Sequence, residues 1–289
     1  MRLKQRGWGE YVLLRALIDA LLFPSDIGKV LAAYSRVFGS LPQLLRPRTF
    51  NEKLQRSKLF NRKESYTRFA DKVAVRDFVR KRVGAEVLTK VFWIGTELAE
   101  ARQQPLPNKF VIKANQSSGG ILIVTDATTF DWDAACTLTR KWQEEDHSVH
   151  FAEWQYRWIP PKLLIEEYLE GEGGGVPLDY KFFCFHGRVE IIQVDFDRFV
   201  NHTRTLFDRD FNMLPVQYKY PRHERSVARP TCFEQMRQIA EHLAAGEPFL
   251  RIDLYDVGKP VFGELTLHPE SGTGQFDPPE WDERLGALF

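Results

Sequence analysis

The chain has 289 residues, 43% of them hydrophobic, and 40 basic against 39 acidic side chains leave a net charge near +1. That length suits a two- or three-part α/β enzyme with a real core, and the balanced charge gives no case for a nucleic-acid partner. Cys136, Cys184 and Cys232 are scattered and without CxxC spacing, which speaks for a reducing, cytoplasmic compartment and no disulfide framework.

The N-terminus is basic at Arg2, Lys4 and Arg6 and runs into the apolar stretch Tyr11–Phe23, interrupted by Arg15 and Asp19. The charges, and the lack of a small-residue cleavage site, argue against a transmembrane span or a signal peptide. An amphipathic helix docked on the protein is expected. The basic flank and Trp8 leave open peripheral contact with the inner membrane face. Residues 1–85 read as mainly helical. Thr49-Phe-Asn-Glu52 has capping-box spacing and starts a helix to about Phe60, and a second helix runs from about Asp71 to Val83, stopping at Gly84. Strands at 110–113 and 121–124 flank the small-residue turn Asn115–Gly120, and a helix follows at about Trp132–Glu144. Next come strands at 163–166, 180–185 and 189–194, the last two joined by His186-Gly187, and a helix at about Thr231–Ala245. Antiparallel pairs mixed with helices make the class α+β. The expected division is a helical region 1–85, a small lobe 86–170 and a large lobe 171–289.

The final hairpin concentrates charge. Two β-rich runs, Phe249–Tyr255 and Val261–Leu267, are joined by Asp256-Val-Gly-Lys-Pro260. A two-residue turn at Gly258-Lys259 sets Asp253 opposite Glu264 and Arg251 opposite Thr266. These four share one face, while Leu250, Ile252, Leu254, Gly263 and Leu265 line the other. Directly paired side chains have Cβ atoms about 4.5–5.5 Å apart, where like charges repel. Two opposed carboxylates on the reverse of an apolar face point to a bound cation, with Mg²⁺ the expected one.

Upstream segments supply the rest. Lys113 ends an apolar strand just before Asn115-Gln-Ser-Ser-Gly-Gly120. Such a loop offers backbone N–H groups to an anion, and the lysine adds a point charge for phosphate. Leu164-Ile-Glu-Glu-Tyr-Leu-Glu-Gly171 is a strand running into a glycine-rich loop, suited to presenting backbone groups to an adenine edge. Alternation in Asp179–Phe183 puts Asp179, Lys181 and Phe183 on one face.

The order of these pieces, from Asp71-Lys72 to Glu264-Leu-Thr266, resembles the ATP-grasp superfamily, in which two α+β lobes sandwich ATP and Mg²⁺ and activate a carboxylate as an acyl phosphate. Phe50–Gln55, Asp71–Arg76, Glu153–Arg157, Asp179–Phe182, Gly263–Thr266 and Ser271-Gly272 are similar to the TupA-like ATP-grasp family of bacterial surface-polymer biosynthesis. The resemblance implies that Lys72 and Lys113 bind the ATP phosphates under a mobile lid, the Asn115–Gly120 loop, whose Ser117, Ser118, Gly119 and Gly120 belong to the nucleotide set. Glu166, Glu167 and Leu169 become the adenine hinge through main-chain groups, Asp179 accepts from the ribose, and Lys181 joins the nucleotide set. Asp253 and Glu264 hold Mg²⁺, and Arg251 stabilises the acyl phosphate or the tetrahedral species formed from it. Where the superfamily usually reads Glu-x-Asn, this chain has Glu264-Leu-Thr266, so Thr266 offers a metal one hydroxyl oxygen or contacts phosphate instead. Arg198, His268, Ser271 and Gly272 are substrate-side candidates. The implied partners are a small amine or amino acid and a glycan or glycan-precursor carboxylate of the uronic-acid type.

Other constellations carry less. His147 and His150 lack a third ligand for zinc. Cys184, inside an aromatic strand, reads as core. The aromatic run Glu153–Trp158 is either interlobe packing or an acceptor surface. Asp195-Phe-Asp197 has the spacing of a metal-binding pair in a nucleotide-sugar glycosyltransferase, which is the alternative function. A sugar-kinase-like phosphotransferase is a further alternative, without a kinase catalytic-loop signature.

Overall fold

Two antiparallel sheets face each other across a cleft, and a helical N-terminal segment braces both. The computed structural model describes residues 8–171, 174–196, 201–223 and 227–289. The helical segment comprises α1 (Trp8–Phe38), α2 (Phe50–Phe60), α3 (Glu64–Ala70) and α4 (Val75–Val83). α1 is much longer than the apolar stretch implied and passes through Pro24. Its second half docks through buried Val30, Tyr34 and Asp26. Asp26 accepts from Arg62 at 2.6 Å and Arg157 at 3.2 Å, and Asp19 accepts from Arg157 at 2.7 Å. Among the described residues no helix is long and apolar enough to cross a membrane.

α2 starts where the capping-box spacing puts it. Thr49 accepts from the Glu52 N–H, and Glu52 reaches back to the Thr49 N–H at 3.2 Å. α4 begins four residues later than expected. Asp71 accepts from the N–H groups of Val73 and Ala74, so its side chain builds the entry turn instead of the first helical turn.

The first sheet has the order β1-β4-β2-β3, from β1 (Val91–Gly95), β2 (Phe110–Ala114), β3 (Ile121–Val124) and β4 (Leu163–Glu167). Its outer face packs Phe110, Ile112, Leu163 and Ile165 against α5 (Leu98–Ala101) and α6 (Trp132–Glu144). The short helix α7 (Ser148–Phe151) and a 3-10 turn at Trp154–Tyr156 return the chain toward α1 and α3.

The second sheet has the order β10-β9-β5-β6-β7, from β5 (Asp179–Phe185), β6 (Arg188–Phe196), β7 (Thr203–Asp208), β9 (Phe249–Asp256) and β10 (Pro260–Thr266). Phe182, Cys184, Val194, Ile252 and Leu254 on its back face pack with Phe233, Met236, Ala240 and Leu243 of α8 (Phe233–Ala244). The front face is apolar at one end, where Phe183, Phe185, Ile191, Leu206 and Phe249 lie under Phe50 of α2. Tyr218 of β8 (Gln217–Tyr218), Phe276 of β11 (Phe276–Asp277) and Leu285 of α9 (Glu280–Leu288) close that end. The other end of the front face is charged and faces the cleft.

In the hairpin Asp253 does pair with Glu264 and Arg251 with Thr266, by a different route from the expected one. Asp256 pairs with Pro260, so the turn holds three residues, and a β-bulge between Phe262 and Glu264 restores the count. Gly263 is therefore the bulge residue and not part of the apolar row. A Cβ there would lie 3.1 Å from the Asp253 carbonyl oxygen, a close backbone approach that glycine permits. The bulge lets both Phe262 and Leu265 face the core.

Phe50 has no exposed surface, and its ring centroid lies 5.0 Å from Phe249 and 5.8 Å from Phe185. Phe50→Ala should lower unfolding free energy by ~3–5 kcal/mol in denaturant titration. A loss under ~1 kcal/mol would show that α2 does not cap this face.

Candidate active site

A row of ion pairs crosses the front of the second sheet. Asp253 is opposite Glu264 on one side and Lys181 on the other. Arg251 grips Asp253 with Nε on Oδ1 and Nη2 on Oδ2, both at 2.7 Å. Lys181 donates to Asp253 Oδ2 at 2.6 Å and also bonds Asp179. Burial pushes the Asp253 carboxyl up, but Arg251 and then Lys181 outweigh it and hold the group below the usual carboxylate range. The repulsion expected between Asp253 and Glu264 is thus relieved by Arg251, whose Nη2 lies 3.4 Å from Glu264 Oε1. Glu264 itself remains available. Its side chain is 40% exposed, and Thr266 Oγ1 is also 3.4 Å away.

Two further lysines lie at the first sheet, Lys113 on β2 and Lys72 just before α4, bonded to the β2–β3 loop. Lys113 pairs with Glu166, which also accepts from Thr89 at 2.7 Å and lies 3.7 Å from Arg76. Burial raises the Glu166 carboxyl, and Lys113, Thr89 and Arg76 together bring it below its ordinary value. Lys72 donates to the Ser117 carbonyl. Burial lowers its ammonium, while Glu264 across the cleft opposes that shift and Lys113 adds to it.

Between β2 and β3 the loop is anchored at its base and open at its tip. Asn115 donates to Asp71 at 2.9 Å and accepts from the Lys162 N–H at 2.7 Å. Ser117 Oγ donates to the Gly119 carbonyl at 2.7 Å, while Ser118 and Gly119 are exposed. Gly120 has φ +67°, and a Cβ would meet Ser117 Oγ at 2.9 Å and Ala114 Cβ at 3.0 Å. Only glycine closes the loop in this way.

A cavity of about 420 Å³ opens between the sheets, with Val111, Ile121, Ile123, Leu169 and Phe262 as apolar walls and Lys113, Glu166 and Asp179 at its polar end. Glu167 also lines it, but its N–H goes to the Lys90 carbonyl at 2.9 Å. Glu166 sits in mid-strand, laddered to Val91 and Val111. The expectation that Glu166 serves through its main chain is corrected here, since its carboxylate is what reaches the site. Leu169, past the strand end, also lines the cavity.

The substrate-side candidates separate. Ser271 Oγ donates to Glu153 at 2.6 Å, and the Gly272 carbonyl accepts from Gln55 at 2.6 Å. His268 is only 4% exposed, set against Gln155 at 3.4 Å and not out on the carboxylate face. Burial and the Lys58 charge push its pKa well down, so it is neutral. Arg198 lies outside the described residues, as does Asp197. Asp195 is tied to Arg204 at 2.6 Å and to Gln193 at 3.0 Å, so it is not held out as one arm of a metal-binding pair.

Sequence reasoning missed several contributors. Arg76 and Lys58 were given no role of their own, Glu153 and Tyr156 stood only inside the aromatic run, and Arg204 and Glu270, paired at 2.9 Å, went unnoticed. The one usable signal was on α2. Asn51, Gln55 and Lys58 form a polar stripe at i, i+4 and i+7, on a helix whose Phe50 and Leu54 are buried.

The donor set suits a hard cation. Among the described residues no three His, Cys, Asp or Glu side chains come together. Mg²⁺ is commonly held by one or two carboxylates plus substrate phosphates, which does not require such a cluster. Glu264 has free lone pairs, and Asp253 Oδ1 takes a single bond from Arg251.

Comparison with known proteins follows from this geometry. No curated protein matches the chain in sequence. Similar solved structures include a D-alanine–D-alanine ligase from Bacillus anthracis, 16% identical, TM-score 0.41, with 76% of this chain and 63% of that chain covered. An L-amino acid ligase from Bacillus licheniformis is 14% identical, TM-score 0.42, covering 77% of this chain and 47% of that one. The ATP-grasp ligase PsnB, in a complex with a precursor variant, Mg and ADP, is 10% identical, TM-score 0.41, covering 70% and 51%. The chain thus spans less than two thirds of the length of these proteins. Residues 52–289 match the model of the TupA-like ATPgrasp family, which is most of the chain, and the protein belongs to that family.

Proposed function

We propose that the protein is an ATP-dependent carboxylate–amine ligase. It would join an amino acid or other amine to a uronic-acid-type carboxylate in surface-polysaccharide biosynthesis. The observation that carries this reading is an apolar, adenine-sized cavity with Lys113, Glu166 and Asp179 at its polar end, where Asp179 shares Lys181 with the Asp253, Arg251 and Glu264 row. Family membership supplies the ATP-grasp frame.

The chemistry asks for charge and position, not for a protein nucleophile. The base fills the cavity beside Leu169, the ribose hydroxyls approach Asp179, and Lys72 and Lys113 take the phosphates under the Ser117–Gly120 loop. The carboxylate substrate attacks the γ-phosphorus and ADP departs with the bridging oxygen. The amine then forms a C–N bond at the acyl carbon, phosphate leaves with the C–O pair, and one amine proton is lost. Arg251, fixed by Asp253, stabilises the oxyanion at that carbon without reorganising. Mg²⁺ held by Glu264 and Asp253, with Thr266 alongside, would neutralise phosphate charge during the transfer.

ADP release by the purified chain should require both an amine and a carboxylate, tested with the standard amino acids and glucuronate, and EDTA should abolish it. Release independent of the amine would contradict the reading. Glu264→Gln should cut turnover at least ~100-fold, because it removes a metal ligand. Its unfolding free energy should stay within ~1 kcal/mol of wild type, because the side chain is exposed and weakly bonded. Asp253→Asn should also abolish turnover, but it leaves Arg251 and Lys181 buried without their shared anion. Its unfolding free energy should fall by ~3 kcal/mol or more in denaturant titration. An Asp253→Asn protein of wild-type stability would show that the ion row is not structural.

A further inference from the structure

One side of α1 is taken up by the body of the protein. Asp26, Val30 and Tyr34 are buried at a spacing of four, and Asp19 on the same side is bonded by Arg157. On the opposite side Leu17, Ala20, Leu21, Pro24, Gly28 and Ala32 are all exposed, Leu21 at 71%. At 3.6 residues per turn these six fall within a sector of about 120°, and the strip from Leu17 to Ala32 is about 22 Å long. Asp19, Asp26 and Lys29, the charged residues of that stretch, all lie outside the sector. The apolar surface continues beside the helix. Phe60, exposed at the end of α2, has its ring centroid 5.9 Å from that of Phe23. Leu44 packs with Phe23 and Ile27 on the small core of Val30 and Leu59, and its neighbour Leu45 is 90% exposed.

Charge on this segment is one-sided. Residues 1–63 hold 13 basic and 4 acidic side chains, whereas residues 64–289 hold 27 and 35. The near-neutral chain is thus a strongly basic helical segment joined to an acidic remainder. Among the described residues the acids of the segment turn inward. Asp26 and Glu52 are buried, and Asp19 accepts from Arg157 and from Trp158 Nε1 at 3.2 Å. The cations turn outward. Arg36, Arg46 and Arg56 are exposed, and none of them forms an ion pair among the described residues. Arg56 lies 5.3 Å over the Phe60 ring and donates to the Leu44 carbonyl at 3.4 Å. Arg46 directly follows Leu45, and Arg36 stands one turn beyond Ala32 on α1. The apolar strip is therefore edged by unpaired positive charge.

We infer that α1, with Leu45 and Phe60 beside it, docks the protein on the surface of a bilayer that contains anionic phospholipid. An uncharged helix side edged by arginines matches the lipid–water interface, with leucines at the acyl boundary and guanidinium groups among the phosphates. α1 lies along that surface without crossing it, since no described helix is long and apolar enough for a span. A second copy of this chain is a poorer occupant. Pairing two such faces brings the same arginines of each copy together, and like charges across an interface repel. The inference concerns where the protein works and is independent of what the cleft joins.

The test is flotation of the full chain with vesicles of phosphatidylcholine alone, or of phosphatidylcholine and phosphatidylglycerol in equal parts. The chain should float with the mixed vesicles and far less with phosphatidylcholine, and added NaCl should weaken the binding by screening exposed charge. Leu17→Ser combined with Leu21→Ser should lower partitioning into mixed vesicles at least ~10-fold, the scale of two leucines returned to water. Arg36→Gln combined with Arg46→Gln should lower it ~10-fold or more on mixed vesicles and leave binding to phosphatidylcholine unchanged. Both variants should keep the wild-type unfolding midpoint, because all four side chains are exposed. No flotation with mixed vesicles, or flotation that the leucine variant retains in full, would overturn the inference. So would a concentration-dependent dimer in sedimentation velocity that the leucine variant abolishes, because the strip would then belong to a second copy.

Discussion

The site depends on one shared anion. Asp253 is 2% exposed and lies between Arg251 and Lys181, so each member of the row is desolvated and each is compensated. A buried ion pair adds little net stability against an apolar substitute, but removing one member leaves a charge without its partner. The row therefore acts as a fixed frame. It aims the Arg251 guanidinium, keeps Lys181 protonated beside Asp179, and leaves Glu264 as the carboxylate with open coordination. The same front face turns apolar toward Phe183 and Phe249, and the aromatic cap led by Phe50 keeps water from reaching the row from below.

The helical N-terminal segment belongs to the site and is more than an appendage. α2 bonds the backbone of the turn that follows β10, while Asp71 and Lys72, just before α4, tie the β2–β3 loop by side chain and main chain. α1 is braced by Arg157, which directly follows the turn carrying Glu153 and Tyr156.

Much of this was legible in sequence where local rules decide. Thr49 and Glu52 form the capping box their spacing demanded, and the alternation in Asp179–Phe183 separates cleft from core. The pairing of Asp253 with Glu264 was also readable, although two deviations had to cancel: a three-residue turn and a bulge at Gly263. What stayed hidden depends on contacts between distant segments. β1 has no clean period, because Trp93 and Ile94 are only partly covered and a register shift interrupts it. Glu166 looked like a hinge residue, since nothing local reveals that Lys113, Thr89 and Arg76 converge on it. The polar stripe of α2 was visible as a stripe, but its burial is set by residues more than two hundred positions away.

The central claim is that Glu264 and the Asp253 row form the phosphoryl-transfer end of a nucleotide cleft. A crystal structure with a non-hydrolysable ATP analogue and Mn²⁺, read by the manganese anomalous signal, tests it most directly. The account predicts the metal on Glu264 and Asp253, with the adenine in the cavity beside Leu169 and the phosphates at Lys72 and Lys113. A metal bound away from both carboxylates, or a nucleotide outside that cavity, would contradict it.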